Sequence, residues 1–121
     1  KPAMSRLAHY KPVPVARGLR EGDVVGPEFV VLETPGHSPG HVSYWRESYR
    51  TLVCGDVVFN MNLVTTARGL REPPAMLTPD PARNRDSARR LAALEPELVL
   101  FGHGPPLRDP AILKEFVDAL P

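Results

Sequence analysis

Short apolar runs separated by Gly- and Pro-containing breaks dominate the hydrophobic pattern of this chain. Apolar runs bounded by turn residues are typical of strands. We therefore expect four strands, over residues 28–34, 41–46, 51–54 and 97–101, with a hairpin connection over 47–50. Residues 1–27 are expected to be irregular or to lie at a sheet edge, because Val13 and Val15 alternate with prolines, which confine a strand to an edge. Within them, residues 1–20 form an irregular N-terminal segment.

Two later segments carry the sequence signature of a helix start. Asp80-Pro81 and Asp109-Pro110 each place an Asp at the N-cap and a Pro at the first helical position. The first helix is expected to run to about Leu94, and the second carries one apolar stripe. Between the strands and these helices we expect a helical turn over 60–66 and a Pro-containing loop over 68–79. The alternation of strands and helices predicts an α/β or α+β arrangement.

Length and composition limit the possible functions. A chain of 121 residues forms one domain, and a net charge of +1 gives no reason to expect nucleic acid or an anionic membrane as partner. No apolar run approaches the ~20 residues of a membrane span, and no signal peptide is expected. The single cysteine, Cys54, excludes an internal disulfide and fits a reducing, cytoplasmic setting; we expect it to pack in the core. The chain opens on Lys1 rather than Met, as a piece of a longer protein would.

Three predicted strand ends each offer one residue of a type that binds metal ions. His37 lies in the loop Thr34–His41, Asp56 follows Cys54-Gly55, and His103 follows Phe101-Gly102. Imidazole nitrogen and carboxylate oxygen hold Zn²⁺ and similar first-row cations. Because each residue follows or interrupts an apolar strand, all three can converge at one sheet edge. Each of them could instead be a hydrogen-bonded structural residue, since spacings of 19 and 47 residues form no local motif.

A serine nucleophile is the competing interpretation of the same residues. Gly36-His37-Ser38-Pro39-Gly40 fits G-x-S-x-G, and Ser38, Asp56 and His103 follow the chain order of that catalytic triad. The residue after the nucleophile must give a backbone N–H to the oxyanion hole, and Pro39 has none. The elbow must also open into a helix, whereas a strand is predicted after it. We therefore favour the metal interpretation.

Three motifs in this order resemble the later motifs of the metallo-β-lactamase-fold hydrolases, and glyoxalase II-like members most. They are Thr34-Pro35-Gly36-His37-Ser38-Pro39-Gly40-His41, Cys54-Gly55-Asp56-Val57-Val58-Phe59 and Phe101-Gly102-His103-Gly104. The resemblance spans about residues 20–108. It implies that His37 ligates one metal ion, that His103 ligates a second and that Asp56 bridges both. The ions would be zinc, or alternatively iron or manganese. It implies a supporting role for His41 behind the ligands.

The chain departs from this family at its chief signature, since no His-x-His-x-Asp-His run occurs in it. The resemblance therefore implies that residues 1–121 are a single domain, the C-terminal half of an αββα sandwich, with one mixed sheet and helices on one face. We expect weak or no metal binding by this chain alone. Because a lone sheet would expose an apolar face, we expect an unstable monomer that pairs with an N-terminal half-domain or with a second copy of itself.

Two functions follow from this resemblance. The first is a metal-dependent hydrolase, in which water activated by two metal ions attacks an ester, thioester, lactone or amide of a small-molecule substrate, with Asp56 in the reaction centre. The second is a metal-free structural or interaction module that keeps the fold and dimerises through its sheet. Of the remaining polar residues, His9 is expected at the surface, and Asn60 and Asn62 are candidates to line a substrate cleft.

Overall fold

A five-stranded mixed sheet is the centre of the fold in a computed structural model that describes residues 11–121. The sheet has the order β1-β2-β3-β4-β7, and β5 and β6 form a separate two-stranded hairpin. The strands are Val24–Val25 (β1), Phe29–Glu33 (β2), Val42–Arg46 (β3), Thr51–Gly55 (β4), Phe59–Met61 (β5), Arg68–Arg71 (β6) and Leu98–Phe101 (β7). The helices are Pro81–Ala92 (α1) and Pro110–Asp118 (α2), with short 3₁₀ turns over Glu47–Tyr49 and Ala75–Leu77.

The strand pairing makes the sheet mixed, as predicted. Strands β1 to β4 pair antiparallel in sequence order, and β4 pairs parallel with β7. The four predicted strands are confirmed to within one or two residues at each end. The segment 11–27 is irregular except for the edge strand β1, and Val13 and Val15 are each 81% exposed. The prediction for residues 1–10, including His9, lies outside the described residues.

Both helices begin at the predicted caps. The Asp80 carboxylate accepts a hydrogen bond from the backbone N–H of Arg83, and the Asp109 carboxylate accepts one from Ala111. These bonds satisfy N–H groups that the first helical turn leaves without partners. None of the helices among the described residues is long and apolar enough to cross a membrane.

The helices cover one face of the sheet, which we call the helix face. Trp45, Leu52, Cys54 and Val99 lie on this face at 6% exposure or less. They form one apolar cluster with side chains of both helices, namely Ala88, Leu91, Ala92, Leu113 and Val117. Helices on one face of a mixed sheet were predicted, and the structure confirms this arrangement.

The opposite side of the sheet is the groove face, formed by Phe29, Tyr44, Val53 and Leu100. The strand register aligns Tyr44, Val53 and Leu100 across three strands. Phe29, Tyr44 and Val53 line an apolar groove of about 260 Å³ together with Val25 and Gly26. Val31, which pairs with Tyr44, is fully buried. The open apolar surface is therefore a groove rather than the whole exposed sheet face expected from the sequence.

The segment between β4 and α1 differs in secondary structure from the prediction. Where a helical turn over 60–66 and a loop over 68–79 were expected, β5 and β6 form a hairpin. Its turn is built by Asn62, whose side-chain oxygen accepts hydrogen bonds from the backbone N–H groups of Val64 and Thr65. An Asn that caps its own turn in this way allows a hairpin without an Asn-Gly pair. Asn62 therefore has a structural role in this turn, and its expected place in a substrate cleft stays a prediction.

Candidate metal centre at one edge of the sheet

The parallel pairing of β4 with β7 brings Asp56 and His103 together from 47 residues apart. Gly55, the last residue of β4, is in register with Phe101, the last residue of β7. The backbone N–H of Gly102 donates to the Gly55 carbonyl at 2.8 Å and continues the pairing past the strands. Asp56 comes one residue after these aligned ends and His103 two residues after, so both side chains meet at the same end of the sheet.

The histidine loop between β2 and β3 is fixed by the start of α1. Gly36 has φ +136°, and a Cβ there would lie 2.2 Å from the backbone nitrogen of Asn84, so only glycine fits. The Ser87 hydroxyl donates to the Pro35 carbonyl at 2.8 Å, and the Asp80 N–H donates to the Gly36 carbonyl at 3.2 Å. The helix therefore determines where the next residue, His37, lies.

The structure brings His37, Asp56 and His103 together around one carboxylate. His103 Nδ1 lies 2.8 Å from Asp56 Oδ1, and His37 Nε2 lies 3.4 Å from Asp56 Oδ2. Each oxygen of the carboxylate thus faces a different histidine. The exposed fraction of the side chains rises from 17% for His37 to 26% for Asp56 and 41% for His103, so the group opens to solvent on the His103 side.

Close packing fixes the Asp56–His103 pair. The Phe59 ring stacks on the His103 ring at 4.5 Å between centroids. A Cβ on Gly102 would lie 2.3 Å from Asp56 Oδ1, so the carboxylate occupies the space that any other side chain would need. The arrangement therefore depends on a glycine immediately before His103.

His41 holds the backbone of Asp56 rather than its carboxylate. The Asp56 N–H donates to His41 Nε2 at 3.1 Å, so His41 Nδ1 carries the ring proton and donates to Thr34 Oγ1 at 2.9 Å. Thr34 Oγ1 also forms a hydrogen bond with Ser43 Oγ at 2.8 Å. Burial lowers the pKa of His41, and the nearby His37 lowers it further. Both effects favour the neutral ring that these two hydrogen bonds require.

The donor set fits a divalent cation on the His37 side of the carboxylate. Two ligand atoms at ~2.0–2.1 Å from a tetrahedral zinc lie about 3.3 Å apart, close to the 3.4 Å between His37 Nε2 and Asp56 Oδ2. The 2.8 Å between His103 Nδ1 and Asp56 Oδ1 is a hydrogen-bond distance. Within residues 11–121, no group of three His, Cys, Asp or Glu side chains is arranged to hold an ion by itself. The residues fit part of a metal site that needs further ligands.

The serine interpretation fails on geometry. The segment after Gly40 is strand β3, not the helix that a nucleophile elbow requires. Asp56 contacts His37 and His103, and no hydrogen bond joins the Ser38 hydroxyl to a histidine within the described part of the chain. Ser38 instead helps to shape the loop, because its carbonyl accepts hydrogen bonds from the N–H groups of Gly36 and His41.

Two other candidates have structural positions. Asn60 is 8% exposed and donates from Nδ2 to the Pro105 carbonyl at 2.8 Å, so it ties the hairpin to the loop after His103 and does not line a cleft. Cys54 packs in the core as predicted, and burial raises the pKa of its thiol to about 12. A thiolate at neutral pH is thereby excluded.

The hydroxyl groups that hold the two loop histidines were not predicted from the sequence. Thr34 bonds His41, and Thr78 Oγ1 lies 3.3 Å from His37 Nδ1. Thr34 begins the motif and could have been suspected from its position. Thr78 lies 41 residues from His37 in a Pro-containing loop, where no sequence pattern indicates the contact.

Comparison with known families identifies the class of protein to which this fold and its cluster of His37, Asp56 and His103 belong. A model of the metallo-beta-lactamase superfamily matches residues 3–103. The chain belongs to this superfamily. The glyoxalase II-like resemblance is supported by its similarity to a hydroxyacylglutathione hydrolase of Bdellovibrio bacteriovorus, with 32% identity over 104 residues and 83% of this chain covered.

A probable metallo-hydrolase of Bacillus subtilis, YflN, is 41% identical over 86 residues, which cover 66% of this chain. The chain spans only 33% of the length of that relative and 38% of the Bdellovibrio enzyme. Among solved structures, the protein TTHA1623 in a di-iron-bound form superposes with a TM-score of 0.64 and 34% identity, over 84% of this chain and 46% of that one.

Proposed function

We propose that this chain contributes part of the active site of a metal-dependent hydrolase that cleaves a small-molecule ester, thioester, lactone or amide. The observation that carries the proposal is the Asp56 carboxylate, whose two oxygens each face a different histidine, so that it would serve the cations held by both. Membership of the superfamily supports the same function. Zinc is the first choice of metal, and iron or manganese are the alternatives, since a di-iron form of a similar structure is known.

Each residue has a distinct role in this proposal. His37 and His103 would each hold one cation, and Asp56 would contribute a ligand oxygen and balance part of the positive charge. His41 keeps Asp56 in place through the backbone N–H. Phe59 covers one side of the His103 ring and excludes water there. Two divalent cations, when bound, polarise a substrate carbonyl and lower the pKa of a water molecule toward ~7.

The remaining ligands must come from outside these residues. Catalytic zinc sites have about three protein ligands each, whereas this arrangement offers two per cation if Asp56 is counted for both. We propose that the N-terminal half of the fold completes the site, from the same or another polypeptide, and that it packs on the groove face. The apolar lining of the groove supports an apolar sheet as the occupant.

Native mass spectrometry with elemental analysis for zinc, iron and manganese tests the proposal. We expect weak metal uptake by the 121-residue chain and about two ions per complex once an N-terminal half is added. Asp56→Asn keeps the shape of the side chain but removes its charge, so it is expected to abolish both metal uptake and hydrolysis of model thioesters and lactones. Metal uptake or hydrolysis that survives Asp56→Asn would contradict the proposal.

A metal-free module that dimerises through its sheet is the second candidate. It is favoured by the hydrogen bond between His103 and Asp56, because side chains that satisfy one another need no ion. A homodimer without metal in the same mass spectra would support it. A cytoplasmic location is part of both proposals and agrees with the unpaired Cys54; fractionation of cells that express the chain would test it.

A further inference from the structure

Thr78 makes two contacts that together determine which ring nitrogen of a neutral His37 carries the proton. Its hydroxyl oxygen lies 3.0 Å from the Pro74 carbonyl oxygen and 3.3 Å from His37 Nδ1. A hydroxyl has one proton, and a carbonyl oxygen can only accept. The Thr78 proton therefore goes to Pro74, and the Thr78 oxygen accepts the proton of His37 Nδ1. Neutral His37 is thus the Nδ1–H tautomer, with a lone pair on Nε2.

This tautomer leaves two acceptors facing each other. The lone pair of His37 Nε2 is directed to Asp56 Oδ2 across 3.4 Å, and a carboxylate oxygen accepts hydrogen bonds. Such a pair is stabilised by a positive charge between the two atoms. The opposite tautomer would place a proton on Nε2 and close the gap with an ordinary hydrogen bond to Asp56.

We propose that Thr78 is a positioning residue that holds His37 in the Nδ1–H tautomer, so that Nε2 stays available to a divalent cation instead of bonding Asp56. The inference rests on the proposed function in taking His37 as a ligand. Ligand histidines generally donate their second ring N–H to a neighbouring acceptor, and loss of that acceptor weakens metal binding by ~10–100-fold.

The surroundings of Thr78 support a specific role. Thr78 is 4% exposed, so its hydroxyl is removed from water and depends on these two partners. Its backbone N–H donates to the Ala75 carbonyl at 3.1 Å, which closes the 3₁₀ turn before it. Two residues later, Asp80 bonds the Gly36 carbonyl beside His37. Thr78 is therefore held at a fixed position next to the histidine loop.

The test compares Thr78→Val, which removes the hydroxyl at constant shape, with Thr78→Ser, which keeps it. Thr51→Val is the matched control, because the Thr51 hydroxyl bonds the Tyr49 backbone carbonyl and no histidine within residues 11–121. The first readout is the ¹⁵N NMR signal of the His37 ring in the metal-free chain at pH 8.5, assigned with His37→Gln. We expect a protonated Nδ1 in the native chain, in Thr78→Ser and in Thr51→Val, and a protonated Nε2 in Thr78→Val.

The second readout is calorimetric titration with zinc or cobalt(II) of the chain completed by an N-terminal half. Thr78→Val is expected to weaken binding ~10–100-fold, and Thr78→Ser to restore most of it. Unprotonated Nδ1 in the native chain would overturn the proposal even if Thr78→Val failed to fold, as would unchanged tautomer and affinity in Thr78→Val. If the native assembly took up no metal, the proposed function would fail, and the NMR readout alone would decide the role of Thr78.

Discussion

The two faces of the five-stranded sheet use neighbouring residues of the same strands but have different surroundings. On β4, Leu52 points to the helices and is fully buried, whereas the next residue, Val53, lines the open groove. On β3, Trp45 and Tyr44 show the same contrast. Within residues 11–121, the two helices cover the helix face, whereas the groove face keeps an open apolar groove. The difference teaches that the described residues form a core on one face of the sheet, and that a partner on the other face stays a prediction.

The largest effect should come from truncating adjacent residues on β4. Leu52→Ala removes a fully buried side chain among Trp45 and Val99 and should lower the free energy of unfolding by ~2–5 kcal/mol. Val53→Ala should cost about 1 kcal/mol or less, because that side chain is only half-buried. Urea denaturation measures both. Equal costs would mean that the groove face is part of the core.

A charge on the groove face should break assembly rather than folding. Tyr44→Glu would bury a carboxylate without a counter-ion in any complex that fills the groove, so we expect binding to weaken by at least ~100-fold. Sedimentation measures the complex. The control is Ile112→Glu, at a 46% exposed position on α2, which should assemble normally. Normal assembly of Tyr44→Glu would show that the interface lies on a surface other than the groove face.

Cys54 allows the helix face to be tested through pH. The pKa of its thiol is raised to about 12 by burial, against about 8.5 in an unfolded chain. The buried neutral thiol therefore contributes stability that is complete below pH ~8.5 and is lost as the pH rises toward 12. At pH 10 the loss should reach about 2 kcal/mol. Denaturation curves from pH 7 to pH 10 should show this loss, and Cys54→Ala should lack that part of it. Parallel pH profiles for the two chains would contradict the burial.

The smallest effect compares two hydroxyl groups on β3. Ser43 is fully buried, and its hydroxyl bonds Thr34, so Ser43→Ala should cost ~1–2 kcal/mol. The Tyr44 hydroxyl makes no hydrogen bond within residues 11–121, so Tyr44→Phe should change stability by less than ~0.5 kcal/mol. Thermal denaturation resolves the pair. A larger cost for Tyr44→Phe would reveal a polar partner on the groove face.

The parts of the fold that could be predicted are those with local causes. The Asp-Pro starts of both helices and the apolar runs of the sheet depend on neighbouring residues only, and each is confirmed. The hairpin of β5 and β6 was missed because its strands are only 3 and 4 residues long and its turn lacks the Asn-Gly or Asp-Gly pair that signals a hairpin.

The candidate site was predicted from its strand ends and from a resemblance, and the structure brings its three residues together. Their metal-binding roles stay a prediction. The role of Thr78 could not be predicted, because its contact with His37 joins residues 41 positions apart and depends on the tertiary fold of a Pro-containing loop.

The parallel pairing of β4 with β7 also has a kinetic consequence. Strands β2 to β4 are antiparallel neighbours joined by short connections, so they can pair early. Strand β7 is separated from β4 along the chain by the β5–β6 hairpin and α1, so their pairing must close a long loop. Contacts between residues far apart in sequence form slowly, because loop closure costs entropy before it is repaid. We therefore expect Asp56 and His103 to meet in the last stage of folding. During synthesis on the ribosome, strands β2 to β4 can pair before His103, the last residue of the candidate site, has been added to the chain.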